Sequence, residues 1–175
     1  MLLFLTHGSL YVCVKTEGEI CDRSSTLAGK LWFAELAVAF LFFAATAFFT
    51  KLYDNYMSTP LFLIVPLLAV AAMLGIKVFL VKGNPLRAFA SSCVTIVSVV
   101  FTGVIGLFPN LIPSSLDAAH SLTIFNSSSS IYTLKIMTIV ALVFVPIVIA
   151  YKIWVYRLFR SRVAGDDVLK GEQTY

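Results

Sequence analysis

Four long apolar runs dominate the sequence and decide which folds are open to it. They cover residues 31–50, 60–81, 88–108 and 131–156. A helix needs about 20 mainly apolar residues to cross the hydrocarbon core of a bilayer. The formal charges inside the runs lie near their ends, where a long side chain reaches the membrane interface: Glu35, Lys77, Lys135 and Lys152. Each run therefore predicts a complete membrane-spanning helix.

The overall composition supports a membrane protein rather than a water-soluble one. Hydrophobic residues make up 59% of the 175 residues and charged residues only 13%. A soluble domain usually carries about 25% charged residues, because its surface must face water. The net charge of +4 is modest and gives no indication of nucleic-acid binding. The predicted fold class is an all-α polytopic transmembrane helical bundle, organised as a single membrane domain over residues 1–175.

A fifth apolar run, residues 1–14, is too short for a complete span. At about 1.5 Å per residue it reaches about 21 Å, whereas the hydrocarbon core is about 30 Å thick. We therefore expect a partial amino-terminal span, and we expect the natural helix to begin upstream of Met1. Whether the chain is a truncation, a misplaced start or a natural split subunit is left open. The reading frame upstream of Met1 would test this.

Basic residues fall on alternate connectors between the predicted spans. They cluster in the first connector, in the third connector and in the tail, residues 157–175: Lys15, Arg23 and Lys30; Lys82 and Arg87; Arg157, Arg160, Arg162 and Lys170. The second connector has only Lys51 at its edge, and the fourth, residues 109–130, has none. By the positive-inside rule, the clusters and the carboxyl terminus are predicted to face the cytoplasm.

Proline, glycine and serine predict local features of the helices. Pro66 and Pro146 lie within apolar runs and are expected to kink those helices. Gly103 and Gly106 could allow a close helix approach. One serine in the cluster at residues 126–130 is expected to cap the last helix.

The three cysteines, Cys13, Cys21 and Cys93, show no CxxC or Cys/His spacing. An odd count without a pattern argues against a disulfide framework. We therefore interpret them as small apolar residues in or near helices.

The two histidines are the obvious candidates for haem ligands. His7 lies in the first apolar run, whereas His120 lies in the outer connector. A bis-histidine site needs both rings at one depth, so these two should not share a haem within one chain. His7 could instead pair with a methionine, act in a proton relay, or be a hydrogen-bonded histidine packed between helices. Asp117, three residues before His120, does not complete a metal site with it.

Glu35 lies about one turn inside the second run. It could take part in proton entry, or it could be an interfacial carboxylate near Lys30. The roles of His7 and Glu35 are left open. No catalytic, cofactor-binding or metal-ligating residue is assigned from the sequence.

Two function classes remain compatible with these residues. One is a subunit that supports a membrane redox enzyme whose cofactors are held mainly by another chain. The other is a component of a small membrane transporter or channel. A transporter is expected to show a buried charge or a broken helix near mid-membrane, and neither is clear in the sequence. Copurification with haem, as against substrate flux in vesicles, would separate the two.

Several short segments resemble subunit II of the cytochrome bd quinol oxidases. The strongest is the proline-bracketed turn in Gly-Leu-Phe-Pro-Asn-Leu-Ile-Pro-Ser-Ser-Leu-Asp, residues 106–117, followed by His-Ser-Leu-Thr-Ile, residues 120–124. Similar segments occur at residues 137–141 and 145–148 in the last run, at 59–66, and at 7–8 and 15–19. The resemblance covers nearly the whole chain and matches the family's last four spans and part of the preceding one.

This resemblance implies the carboxyl-terminal half of a non-catalytic subunit with a structural and assembly role. The complex would oxidise quinol and reduce oxygen to water, taking up protons from the cytoplasm and building a proton gradient across the bacterial inner membrane. Haems of b and d type and the quinol site would belong chiefly to subunit I. The implied partners are subunit I, membrane lipid and, in some members, a structural quinone, with no nucleic acid. Which quinone is used, and whether a functional complex forms without the amino-terminal half, stays open.

Overall fold

The computed structural model describes residues 1–50, 52–114 and 117–159. In these ranges the α-helices are α1 (Leu2–Lys15), α2 (Glu19–Phe49), α3 (Asp54–Ser58), α4 (Ile64–Val81), α5 (Pro85–Leu107) and α6 (Ile131–Leu158). Short 3-10 helices cover Pro60–Leu63 and Ala118–His120, and two strands cover Asn110–Ile112 (β1) and Leu122–Thr123 (β2). Most of the predicted tail, from residue 160 onward, lies outside the described residues.

Four helical segments of the described chain are long and apolar enough to cross a membrane. They are Glu19–Phe49, Pro60–Val81, Pro85–Leu107 and Ile131–Leu158, and α1 is a shorter apolar helix. The predicted class of a polytopic helical bundle with four full spans and a shorter amino-terminal one is thereby confirmed.

The start of α2 differs most from the sequence-based expectation. The helix begins at Glu19 rather than at residue 31, because the polar first connector is itself helical. Glu19 and Asp22 lie in the first turn, where acidic side chains interact favourably with the positive end of the helix dipole. Glu19 also accepts a 2.6 Å hydrogen bond from Arg23 one turn later. Apolarity therefore marks the membrane part of α2 but not its polar extension.

Contacts divide the chain into two compact units, residues 1–108 and a second that begins at residue 109. The expected single membrane domain over residues 1–175 stays a prediction. In the first unit, α1 packs against α2 and α5, and α4 packs against α2 and α5. Its buried apolar core is small and is shared by four of these helices: Leu10, Ala28, Trp32, Ile76 and Ala88.

The face that α5 turns toward its neighbours consists of small and hydroxyl-bearing residues. They recur every three or four positions, as helix geometry requires: Ala88, Ser92, Thr95, Ser98, Thr102 and Gly106. Small residues let helices approach closely in a membrane, where apolar side chains have no preference for each other over lipid. The threonine hydroxyls donate to carbonyls of their own helix, Thr95 to Ser91 and Thr102 to Ser98.

The short helix α3 is hydrogen-bonded to the carboxyl-terminal end of α5. Asn55 Nδ2 donates to the carbonyls of Ile105 and Gly106 at 3.1 Å each, and also to that of Phe108. These carbonyls lack intrahelical partners at a helix end. The buried Tyr56 hydroxyl donates to the Thr102 carbonyl at 2.6 Å, and burial raises the pKa of this phenol. The phenol therefore stays neutral and keeps its donor role at neutral pH.

Gly106 is required by the packing of this connector. A Cβ atom at residue 106 would collide with the side chain of Leu52, whereas one at Gly103 would meet open space. Of the two glycines that the sequence singled out, only Gly106 permits a close approach within the described residues.

In the second unit, β1 and β2 form an antiparallel pair with an irregular register between Asn110 and Ile112. Ser130 then caps α6, since its Oγ accepts a 3.3 Å hydrogen bond from the Thr133 amide. The predicted serine cap is thus confirmed. The side chains of α6 are exposed, apart from the half-buried Val155.

Pro66 and Pro146, the two prolines expected to kink helices, lie at different positions within their helices. Pro146 is inside α6, where it removes one backbone hydrogen bond. Pro66 lies in the first turn of α4, directly after the 3-10 helix Pro60–Leu63. Amides in the first turn of a helix have no intrahelical partner, so the missing N–H of proline costs little there. The 3-10 helix lies before Pro66, and α4 itself is not interrupted.

The interpretation of the cysteines was wrong for two of the three. Cys13 and Cys21 form a disulfide that joins the end of α1 to the start of α2, and Cys93 is free. The reason is the tight turn at residues 16–18, in which Gly18 has a φ of 66°. This turn reverses the chain and brings the two helix ends together. Spacing rules for metal sites do not detect such a pair.

Candidate functional site

His7 is held between α1 and α5. Its Nδ1 atom lies 2.7 Å from Ser92 Oγ, and its ring stacks on Phe89 with centroids 4.5 Å apart. The Ser92 hydroxyl donates its proton to the Phe89 carbonyl at 2.7 Å. A hydroxyl has one proton, so both contacts form together when Nδ1 carries the ring proton and donates to Ser92, with Nε2 as the acceptor nitrogen. Of the alternatives for His7, the structure shows the hydrogen-bonded histidine packed between helices.

Glu35 is the seventeenth of the 31 residues of α2, and its side chain is only 6% exposed. Neither carboxylate oxygen has a hydrogen-bond partner among the described residues. The Thr6 hydroxyl of α1 lies near the carboxyl group, but it donates to the Leu2 carbonyl at 3.1 Å. The side chain is thus buried beside Thr6 of α1, and among the described residues it forms no ion pair with Lys30.

Lys77 lies at the contact between α4 and α2. Its Nζ atom lies 4.6 Å from the ring centroid of Phe33 and 5.8 Å from that of Trp32. The same Trp32 donates from Nε1 to the Met73 carbonyl at 2.8 Å. Lys77 therefore anchors α4 on the aromatic faces of α2, an arrangement that stabilises a cation in a partly dehydrated place.

Asp117 and His120 belong to the second unit, where both side chains are exposed. Asp117 Oδ1 accepts a 3.1 Å hydrogen bond from the Ala119 amide, and the Asp117 carbonyl accepts one from the His120 amide at 3.1 Å. These bonds shape a local turn. Within the described residues, no group of three or more His, Cys, Asp or Glu side chains could hold a metal ion.

Sequence reasoning missed Ser92, the partner of His7. A signal was present, because polar residues of α5 recur with helical spacing at Ser92, Thr95, Ser98 and Thr102. This period places them on one face, and a polar face on an apolar helix predicts contacts with other helices rather than with lipid.

Comparison with known proteins agrees with this architecture. The sequence profile of the family described as cytochrome bd terminal oxidase subunit II matches residues 1–159. The chain is 32% identical over 166 residues to "Cytochrome bd ubiquinol oxidase subunit 2" of Bacillus subtilis (strain 168), covering 95% of this chain and 48% of that protein. It is 33% identical over 114 residues to "Cytochrome bd-I ubiquinol oxidase subunit 2" of Escherichia coli (strain K12), covering 65% of this chain and 30% of that protein.

A third relative, "Probable cytochrome oxidase subunit 2" of Haemophilus influenzae, is 34% identical over 122 residues, which are 70% of this chain and 32% of that protein. The chain thus spans half or less of the length of these relatives. The profile match nevertheless extends over nearly all of the present sequence. This chain belongs to the cytochrome bd terminal oxidase subunit II family.

Proposed function

We propose that this chain acts as the carboxyl-terminal portion of subunit II in a cytochrome bd-type quinol:oxygen oxidoreductase. The observation that carries the proposal is the family match over residues 1–159. The complex would oxidise quinol, reduce oxygen to water and build a proton gradient across the inner membrane. Haems b and d and the quinol site would reside chiefly on subunit I, so this chain would be a non-catalytic subunit.

The work proposed for this chain is to pack beside subunit I and support its assembly. Large apolar side chains of α6 are exposed, as a helix that packs within a membrane requires: Leu142, Phe144, Ile147 and Ile153 are examples. Such a surface suits lipid, a second membrane subunit or a structural quinone equally well.

The proposal is tested by coexpressing a tagged form of the chain with subunit I and the amino-terminal part of subunit II. We expect the tagged chain to copurify with subunit I and with its haem absorption. The same chain purified alone should lack a Soret band. A Soret band on the isolated chain, or recovery of haem-loaded subunit I without it at undiminished yield, would count against a supporting role.

The alternative function, a component of a small transporter or channel, gains one observation from the structure. A buried, unpaired carboxylate in a membrane helix is a feature expected of transporters, and Glu35 is such a group. Measuring substrate flux in vesicles that contain the chain alone separates the two functions. The supporting subunit should produce none.

A further inference from the structure

Glu35 is the one described carboxylate for which the fold leaves both oxygens buried and without a hydrogen bond. Its surroundings on α2 are apolar or aromatic, with Trp32 buried one turn before it. By contrast, Glu19 on the same helix is exposed and paired with Arg23. The two glutamates of α2 therefore differ in environment, although they share one helix.

Both helices that pack on α2 carry groups that can be charged. From α1, the amino group of Met1 lies near enough to act on the carboxyl group, and the Thr6 hydroxyl lies close to it. His7, which follows Thr6, is bonded to Ser92 of α5 instead. From α4, Lys77 contacts the rings of Trp32 and Phe33. Within the described residues, none of these groups forms an ion pair with Glu35.

An ionised carboxylate is very costly in such a place unless it is paired and hydrogen-bonded. The usual outcome is that the group takes up a proton and becomes neutral. A neutral acid needs fewer partners, and its hydroxyl could donate to a backbone carbonyl or to the oxygen of Thr6. The burial and the missing partners thus both favour the protonated form.

We propose that Glu35 is a proton-binding site inside the membrane, occupied at neutral pH and exchanging its proton with water. The ligand is the proton itself, held as a carboxylic acid between α1 and α2. This proposal does not depend on the function proposed above. If that function holds, such a site would suit a reaction that consumes protons within the membrane.

The test is infrared spectroscopy of the full chain in lipid nanodiscs. Protonated and ionised carboxyl groups absorb in separate regions, so a difference spectrum identifies the form present. An ordinary glutamate, with a pKa of about 4.3, is almost entirely ionised at pH 7. Subtracting the Glu35→Gln spectrum at pH 7 should reveal one protonated carboxylic acid band. Transfer to D₂O should shift this band, because the proton exchanges.

Glu19→Gln is the matched control, since it removes a carboxylate from the exposed part of the same helix. Its difference spectrum at pH 7 should contain only the bands of an ionised carboxylate. The proposal is overturned if Glu35→Gln gives that same ionised pattern, or if its acid band does not shift in D₂O after a day.

Should Glu35→Gln fail to fold, Glu35→Asp keeps an acid at this position. The acid band of the wild-type chain should then move in frequency in Glu35→Asp, and an unchanged band would contradict the assignment. These readouts involve neither haem nor quinol, so their failure leaves the proposed oxidase function untouched. Likewise, absence of copurification with subunit I would not affect them.

Discussion

At the scale of single residues, Gly103 and Gly106 provide a matched pair one turn apart on α5. The Gly106→Ala change places a methyl group against Leu52, whereas Gly103→Ala places it in open space. We expect Gly106→Ala to lower the free energy of unfolding by about 1–3 kcal/mol through overpacking. Gly103→Ala should leave it unchanged or raise it by about 0.5–1 kcal/mol, since alanine favours a helix. Thermal unfolding in detergent measures both, and equal effects would show that Leu52 moves aside freely.

Asparagines at the two ends of α5 give a second comparison. Asn55 shares its two side-chain N–H groups among three carbonyls at the carboxyl-terminal end, whereas the N-cap residue Asn84 makes no side-chain capping bond. Asn55→Ala should destabilise the chain by about 1–2 kcal/mol, because helix-end carbonyls lose their donor. Asn84→Ala should change stability by less than about 0.5 kcal/mol. The same unfolding assay applies, and a larger loss in Asn84→Ala would refute the stabilising role given to Asn55.

Which of these residue roles the sequence can predict depends on where the partner lies. Ser130 was predictable as a cap because its partner, Thr133, is three residues away. Gly106 was a candidate, but its partner Leu52 belongs to a distant connector and has no sequence signal. The burial of Glu35 was missed for the same reason, since its neighbour Thr6 belongs to a different helix, α1.

At the scale of elements, length and apolarity predicted the long helices because both are local properties of the chain. The polar beginning of α2 was not predicted, because a search for long apolar runs does not detect the part of a helix that continues into water. Which helices pack against each other could not be predicted from the sequence either. Their packing is set by polar contacts such as Trp32 with Met73 and His7 with Ser92, which join different helices.

The link between α2 and α4 can be tested at Trp32. Trp32→Phe keeps an aromatic ring but removes the Nε1 donor to the buried Met73 carbonyl. We expect a loss of about 0.5–1.5 kcal/mol in the free energy of unfolding, because the Met73 carbonyl loses its donor from α2 and keeps only its bond within α4. Trp154→Phe, in an exposed position of α6, is the control and should have an effect below about 0.5 kcal/mol. Similar losses in both variants would mean that the hydrogen bond contributes little.

At the scale of the whole molecule, the family and the number of long apolar helices follow from the sequence, but the membrane orientation rests on charge alone. Lys82 and Arg87 flank the α4–α5 turn, whereas residues 109–130 contain no lysine or arginine. Moving basic residues across a membrane during insertion is unfavourable, so the turn should face the cytoplasm and the long connector should face outward.

Single cysteines at Asn84 and Ser129 test this orientation, since both positions are exposed. They are introduced after Cys13, Cys21 and Cys93 have been replaced by serine, and helical content is compared with the wild type. In intact spheroplasts, a membrane-impermeant maleimide should label Ser129→Cys but not Asn84→Cys. Permeabilised membranes should label both. Because the two positions lie on opposite sides of α5 in the chain, labelling of both in intact spheroplasts would exclude α5 as a complete span. The reverse pattern would keep the span and invert the proposed orientation, which would place the carboxyl terminus outside.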